Sequence, residues 1–256
     1  MNRKQCWTIG AVAGALLGLG VAAVAATDAS LVMLLSFDDI SGGTVMDSSG
    51  KGNNAAIKGA VTSGEGKIGK GGAFDKNGHM EVAHSDSLNV QSMTLMTWTK
   101  IAADTGDHQS AMEKGPAWAA GEYNMLPDYG NKVQLQIFDL PAACADTQEA
   151  GEVLDGKWHH VATTFDGSAI KIYVDGVMAG SRDCVGTLNT NTGPLFIGAR
   201  GGTVRWTVGN YDEMAIFNRA LNAAEIQTAM NGLATPVEPR DHATVMWASL
   251  KTEANR

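Results

Sequence analysis

The chain has 256 residues, of which 31 are glycine and 18% are charged, and its formal net charge is −8. This length allows one or at most two domains. The diffuse acidic charge argues against nucleic acid as a partner, because phosphate binding needs a basic patch. Acidic oxygen atoms suit hard cations such as calcium, although the same charge can serve solubility alone.

The N-terminal segment has the pattern of a secretory signal peptide. Arg3 and Lys4 precede an apolar stretch that ends in small residues near Ala26. This pattern predicts a leader over residues 1–26 and a secreted, periplasmic or cell-surface protein. The alternative is a retained anchor, since a membrane span needs roughly 20 apolar residues. Cleavage would leave the mature chain without a stable membrane span.

Two cysteines, Cys144 and Cys184, follow the predicted leader. In an exported protein they predict one disulfide, which would contribute on the order of 3–4 kcal/mol by loop closure. Two free buried thiols are the alternative.

Short apolar or alternating segments, separated by glycine-rich and polar turns, predict a chain built of β-strands. The apolar run from Leu31 to Phe37 is typical of a strand buried on both faces, and a short strand is expected near residues 55–57. Asn77 and Gly78 mark a turn between two further short strands. Residues 92–101 and 132–138 alternate; in the second, three aliphatic residues face one way and Gln134 and Gln136 the other.

The segment from Gly156 to Gly180 predicts a three-stranded antiparallel meander. Two Asp-Gly pairs, at 166–167 and 175–176, separate apolar runs and are strong hairpin signals. His159 and His160 are neighbours on the first of these strands, so they face opposite sides and cannot easily bind one metal ion together.

One helix is predicted near the C-terminus. Asn222 is placed as its N-cap, with Glu225 at the spacing of a capping box, and Gly232 ends it. Many short strands, hairpin turns and a single short helix predict an all-β, two-sheet antiparallel sandwich.

Several segments, in this order, resemble the laminin G-like, concanavalin A-like lectin family of jelly-roll domains. They include LSFDD, DSSGKGNN, MTLMTWTK, GKWHHVATTFDGSAIKIYVDG and YDEMAIFNRALNAAEI. The resemblance implies two curved antiparallel sheets over residues 27–233, followed by a C-terminal tail at 234–256. Members of this family commonly bind carbohydrate or protein ligands outside cells, often with a structural calcium ion.

The resemblance also implies where calcium would bind. Related jelly rolls hold the ion where the first strand, the loop after it and the last strand meet. The matching residues are Asp38, Asp47, Asn53 and Asp212, and carboxylate and amide oxygens are the ligands that calcium takes. The alternative is that Asp47 and Asn53 only form turns.

Aromatic residues in loops are the candidates for ligand binding. Trp118, Tyr123 and Trp206, together with Arg205, lie in predicted loops, where binding residues of sandwich folds concentrate. The alternative is that they cover the edge of the core.

Catalysis is not expected from this sequence. Glycoside hydrolysis needs two carboxylates about 5–10 Å apart, and the candidates Glu81, Glu113 and Glu122 are well separated along the chain. The E-x-D-x-x-E strand of the related glucanases is missing, as is a G-x-S-x-G elbow. The sequence therefore predicts a lectin-like domain that recognises carbohydrate. A structural or adhesion protein with an extracellular protein ligand, and a glycosidase, are the alternatives.

Overall fold

The computed structural model of the protein describes residues 28–102, 105–138, 140 and 147–233. The leader, the tail and Cys144 lie outside these residues, so their predicted cleavage, role and pairing stay predictions. Cys184 is buried. No helix among the described residues is both long enough and apolar enough to cross a membrane.

The described part of the chain consists mainly of β-strands. Two single-turn 3-10 segments occur at Ser41–Gly43 and Asp86–Leu88, and one α-helix, α1, at Ala223–Ala229. The strands, in chain order, are β1 (Leu31–Leu35), β2 (Thr44–Val45), β3 (Ala55–Lys58), β4 (Val61–Glu65), β5 (Lys70–Phe74), β6 (His79–Val82), β7 (Met93–Lys100), β8 (Met112–Lys114), β9 (Tyr123–Tyr129), β10 (Lys132–Ile137), β11 (Thr147–Ala150), β12 (His159–Phe165), β13 (Ala169–Val174), β14 (Val177–Asp183), β15 (Leu195–Ile197) and β16 (Gly209–Phe217).

These strands form two antiparallel sheets. The first sheet has the order β14-β13-β12-β7-β16-β5-β4, with β1 also paired to β16. The second has the order β11-β10-β9-β8-β15-β6-β3-β2. The prediction of an all-β, two-sheet antiparallel jelly-roll sandwich with one short helix is confirmed.

The main core lies between the sheets and follows the alternation of the strands. Met93 and Leu95 of β7 face Val133 and Leu135 of β10 in one buried cluster. Met96 follows Leu95 directly, so its side chain lies on the opposite face of β7, where it belongs to a second cluster under α1. The first sheet is therefore buried on both faces around β7.

Helix α1 covers the outer face of the first sheet. Its predicted capping box is present, because the Asn222 side chain accepts from the Glu225 N–H and the Glu225 carboxylate accepts from the Asn222 N–H. Ile226 packs into the second cluster. After the helix, the Met230 carbonyl accepts a hydrogen bond of 3.0 Å from Nε1 of Trp98.

The predicted meander of β12, β13 and β14 is confirmed by its antiparallel pairing. The turn at Asn77 also forms, with a positive φ of 69°, but the strands on either side of it lie in different sheets. β5 pairs with β4 and β16, whereas β6 pairs with β3 and β15. The Asn-Gly turn therefore connects a strand of the first sheet to a strand of the second, rather than two paired strands of a hairpin.

The adjacent histidines face opposite sides of β12, as predicted. His160 is buried beside Trp98, with ring centroids 5.3 Å apart. His159 lies between the carboxylates of Asp155 and Asp175, at 3.0 and 2.8 Å.

Candidate functional site

The outer face of the second sheet carries buried polar side chains. Met112 and Leu135 of this sheet point into the core, so their strand neighbours Glu113, Gln134 and Gln136 point outward. These outward residues are nevertheless at most 4% exposed. Arg200 and Gly201, in the loop between β15 and β16, contact Gln136 and Glu113, and this covered face is the candidate site.

Arg200 lies at the centre of this face and binds two buried glutamates. Its Nε lies 3.0 Å from Oε1 of Glu113, and an Nη2 atom lies 2.7 Å from Oε1 of Glu122. A third contact, at 3.3 Å, joins Nη1 to the Gln136 amide oxygen. Arg200 and both glutamates are at most 2% exposed at their side chains, so water does not screen this group.

One proton is shared within the glutamate pair. Burial, together with the hydrogen bond to the Glu122 carboxyl, raises the pKa of Glu113 far above its usual range. Burial also raises the pKa of Glu122, but Arg200 opposes that shift. Burial thus favours a protonated carboxyl in this pair, while Arg200 favours an ionised one beside it. Two charged carboxylates in contact cannot both stay ionised without a large cost.

The Arg200 group fixes Trp118 on the surface. The Trp118 N–H donates to Oε2 of Glu122, and the guanidinium carbon of Arg200 lies 3.9 Å from the indole ring centre. Phe138 meets the same ring edge-on at 5.0 Å. Trp118 has a positive φ of 65° and is still 62% exposed. Its exposed ring is thus held in place by buried charges beneath it.

Arg205 extends this surface. It also has a positive φ, of 53°, and its guanidinium carbon lies 5.8 Å from the Trp118 ring and 5.9 Å from the Tyr129 ring. We call Trp118, Tyr129, Phe138 and Arg205 the aromatic platform. Non-glycine residues with positive φ are strained, and such strain clusters at functional sites.

A small cleft opens beside Trp206, whose ring lies 5.6 Å from His79. Its volume is about 200 Å³, below the roughly 300–1,000 Å³ of pockets that enclose a whole small molecule. Two larger clefts, of about 440 and 370 Å³, have no tryptophan, tyrosine or phenylalanine among their described lining residues. We call the small one the Trp206 cleft; it is lined by Lys76, Thr105, Asp107, Trp206 and Val208.

The structure brings together three of the four residues predicted to bind ligand. Trp118 and Arg205 share the platform, and Trp206 follows Arg205 in the adjoining cleft. The prediction for Tyr123 is wrong, because its side chain is 1% exposed and its hydroxyl donates to the Leu88 carbonyl inside the core.

Sequence reasoning missed three residues of this region: Arg200, Tyr129 and Phe138. Phe138 continues the outward series of Gln134 and Gln136 beyond the end of β10, so alternation could have placed it. No local pattern marks Arg200, whose partners lie far away along the chain.

The four predicted calcium ligands fall into two separate pairs. Each carboxylate oxygen of Asp47 accepts two hydrogen bonds. Oδ1 accepts from the backbone N–H groups of Leu34 and Ser49, and Oδ2 accepts from the Ser49 hydroxyl and the Asn53 backbone N–H. The Asn53 amide donates to the Val32 carbonyl at 2.6 Å. These contacts tie the loop after β1 to that strand, and they match the turn alternative for Asp47 and Asn53.

The other pair, Asp38 and Asp212, lies where three carboxylates crowd together. Burial first, with the nearby Asp38 charge, raises the pKa of Asp212 to about 6. Burial and the charges of Asp212 and Asp38 raise the pKa of Glu213 to about 7. Asp212 already accepts three backbone N–H groups, from Lys67, Ile68 and Glu213. Among the described residues, no group of three or more His, Cys, Asp or Glu has metal-binding geometry.

Solved structures with the same fold include several binding domains. The binding domain of Paraclostridial Mosquitocidal Protein 1 has a TM-score of 0.62 and 14% identity, covering 79% of this chain and 52% of its own. Domain 4 of AbnA, a GH43 extracellular arabinanase from Geobacillus stearothermophilus, was solved with arabinotriose and has a TM-score of 0.61 and 21% identity. The match covers 77% of this chain and 97% of that domain. The binding domain of Botulinum Neurotoxin DC in complex with SialylT has a TM-score of 0.60 and 13% identity, and the match covers 79% of this chain and 51% of that domain.

This chain thus spans about half the length of both toxin binding domains and nearly all of the arabinanase domain. At these identities the likeness establishes the fold alone. No curated protein matches the chain significantly. The family model of the concanavalin A-like lectin/glucanases superfamily matches residues 74–227, which is more than half of the chain. The chain therefore belongs to the concanavalin A-like lectin/glucanases superfamily.

Proposed function

We propose that this protein is a non-catalytic carbohydrate-binding domain whose ligand lies on the aromatic platform. The observation that carries the proposal is Trp118, 62% exposed and fixed by Arg200 and Glu122 underneath. A flat aromatic ring buries the apolar face of a sugar, and a ring already fixed in place loses little entropy when it does so. The Arg205 side chain beside it supplies hydrogen-bond donors for hydroxyl groups.

The fold relatives support binding rather than turnover. Domain 4 of the arabinanase, of which this chain covers 97%, was solved with arabinotriose, and the toxin relatives are binding domains by name. The glutamates of the site do not suit glycoside hydrolysis. Glu113 and Glu122 are fully buried and both contact Arg200, whereas hydrolases present a pair of carboxylates to a bound sugar.

We also propose a structural calcium ion near Asp38 and Asp212, two of the four predicted ligands; its other oxygen ligands would be backbone carbonyls and water, because no three described carboxylates have metal-binding geometry. Burial first, and then the neighbouring carboxylate charges, raise the pKa values of Asp212 and Glu213, and a divalent cation would relieve the repulsion between these charges. Calcium addition should raise the melting temperature, EDTA should lower it, and Asp212→Asn should remove the response while Asp86→Asn keeps it. A melting temperature that responds to neither reagent would count against the ion.

Secretion is part of the same proposal and rests on the leader pattern at residues 1–26. Mass analysis of the mature protein after expression with its native N-terminus would show whether the chain begins near Thr27.

The central experiment measures binding to defined polysaccharides. Trp118→Ala should weaken binding about 30-fold, the loss expected for a dominant aromatic contact worth about 2 kcal/mol. Met178→Ala is the matched control, because Met178 is also exposed, at 54%, but lies on β14 of the other sheet. Polysaccharide binding that survives Trp118→Ala would refute the aromatic platform as the binding site. No binding to any polysaccharide class would refute the carbohydrate-binding function and leave an extracellular protein as the ligand.

A further inference from the structure

Arg205 differs from Arg200 in its polar contacts with the described residues. Arg200 contacts two carboxylates, and so does Arg219, with Asp28 and Glu225 at 2.8 and 2.9 Å. Arg205 makes no ion pair with any described residue, and its Nη1 atom is enclosed without a hydrogen-bond partner. An enclosed donor without an acceptor destabilises the folded state, and here the missing acceptor lies at the aromatic platform.

The charges around Arg205 favour an anion. Burial, and next the positive charge of Arg200, lower the pKa of the Arg205 guanidinium, so the protein around Arg205 does not fully compensate its charge. Asp107 contributes a weaker attraction but forms no ion pair with it. An anion placed beside Arg205 would offset both the repulsion and the unpaired donor.

A second cation lies on the same surface. Lys76 lines the Trp206 cleft, is exposed, and has no ion pair within the described ranges. Among the described residues, the aromatic platform and the Trp206 cleft together carry two positive side chains, Lys76 and Arg205, and one negative side chain, Asp107. This excess of one positive charge among them contrasts with the net charge of −8 for the whole chain.

From this arrangement we propose that the ligand is an acidic glycan whose carboxylate binds Arg205 while a neighbouring sugar ring stacks on Trp118. The inference rests on the proposed carbohydrate-binding function and specifies its ligand class. The planar guanidinium pairs with a carboxylate in a two-bond geometry that an ammonium group cannot reproduce. The Trp206 cleft, with Lys76 at its wall, holds the next unit of the chain.

Calorimetry with matched oligosaccharides tests the ligand class. The probes are tetragalacturonate, the same oligosaccharide with its carboxyl groups reduced to hydroxyls, and the methyl ester. The acid form should bind about 10- to 100-fold tighter than either neutral form, as expected for a hydrogen bond to a charged group. Affinity for the acid should also fall with added salt.

Variants of the protein test the residue. Arg205→Gln should remove the preference for the acid, so that the acid form and the neutral forms bind within threefold of one another, and the melting temperature reports separately on the loss of its contacts with the Trp118 and Tyr129 rings. Lys171→Gln, on β13 of the other sheet, removes the same unit of charge and should keep the preference. Arg205→Lys provides a second variant that retains the charge, and its preference should be intermediate.

The outcomes separate the two proposals. If acid and neutral forms bind equally and Trp118→Ala abolishes both, the acidic-glycan inference is overturned and the carbohydrate-binding proposal stands. If no form binds, both fail. Acid binding that Arg205→Gln leaves unchanged, or binding of dextran sulfate in place of the uronide, also overturns the assignment of a carboxylate to Arg205.

Discussion

The burial of His160 leads us to predict that the protein loses a defined amount of stability in acid. Its side chain is buried on β12, its ring meets Trp98 edge-on, and neither ring nitrogen has a hydrogen-bond partner. Burial lowers the pKa of His160 to about 4 from the ordinary 6.5, against a weaker opposing pull from the Asp175 carboxylate. The folded state therefore keeps this imidazole neutral at a pH where the unfolded chain takes up a proton.

The sign and size of the effect follow from linkage. Between pH 6.5 and about 4 the unfolded chain binds one more proton at this site than the folded chain, so stability falls as the pH falls. That interval, at about 1.4 kcal/mol per pH unit, amounts to about 3 kcal/mol. The stability is fully present above pH 6.5 and is lost as the pH falls through the folded-state pKa.

Denaturant unfolding of the wild type and of His160→Leu, from pH 7.5 to pH 4, measures this contribution. Asp212, Glu213 and the other shifted groups titrate in both proteins and cancel in the difference. Relative to the wild type, His160→Leu should gain about 3 kcal/mol across this range. A difference that stays constant with pH would refute a buried, neutral His160.

His159, the next residue on the same strand, provides a control of opposite sign. Burial alone would lower its pKa, but the carboxylates of Asp175 and Asp155 raise it above the ordinary value. Its contribution to stability is therefore fully present below the unfolded-state pKa and is lost as the pH rises through the folded-state pKa. His159→Asn should lose stability relative to the wild type in acid, whereas His160→Leu gains it.

Four further substitutions test individual contacts in the fold. Arg200→Met should lower the free energy of unfolding by about 3–5 kcal/mol, because it leaves the buried carboxyl pair without its cation. Glu113→Gln should cost much less at neutral pH, because burial already favours the protonated form of Glu113. A larger loss for Glu113→Gln than for Arg200→Met would contradict this account. Asn222→Ala should lower the stability by about 1 kcal/mol through loss of the helix cap, and an unchanged melting temperature would contradict that role. Tyr123→Phe should cost about 1 kcal/mol for the hydroxyl bond to Leu88 and leave ligand affinity unchanged; a tenfold loss of affinity would return Tyr123 to the binding site.

Local patterns gave most of the secondary structure. The alternation of β7 and β10, the Asp-Gly turns of the meander and the capping box of α1 each depend on residues a few positions apart, and all are present. The loop placement of Trp118, Arg205 and Trp206 was likewise readable, because these residues interrupt the strand patterns.

The tertiary structure alone decided how those loops are used. Gln134 and Gln136 face outward, as alternation predicts, yet they are buried because loops from distant parts of the chain fold over the sheet. Glu113 and Glu122 stand apart in the sequence, but the antiparallel pairing of β8 with β9 brings them within reach of Arg200. Their contact requires the sandwich to be complete, so no local period can reveal it.

The sequence by itself therefore determined the strands, the turns and the family, since side-chain alternation and turn conformation are properties of short segments. The assembled sheets decided which aromatic rings reach solvent and which arginine has a partner. Tyr123 became a core residue and Trp118 an exposed one because burial depends on what the rest of the chain places above each residue.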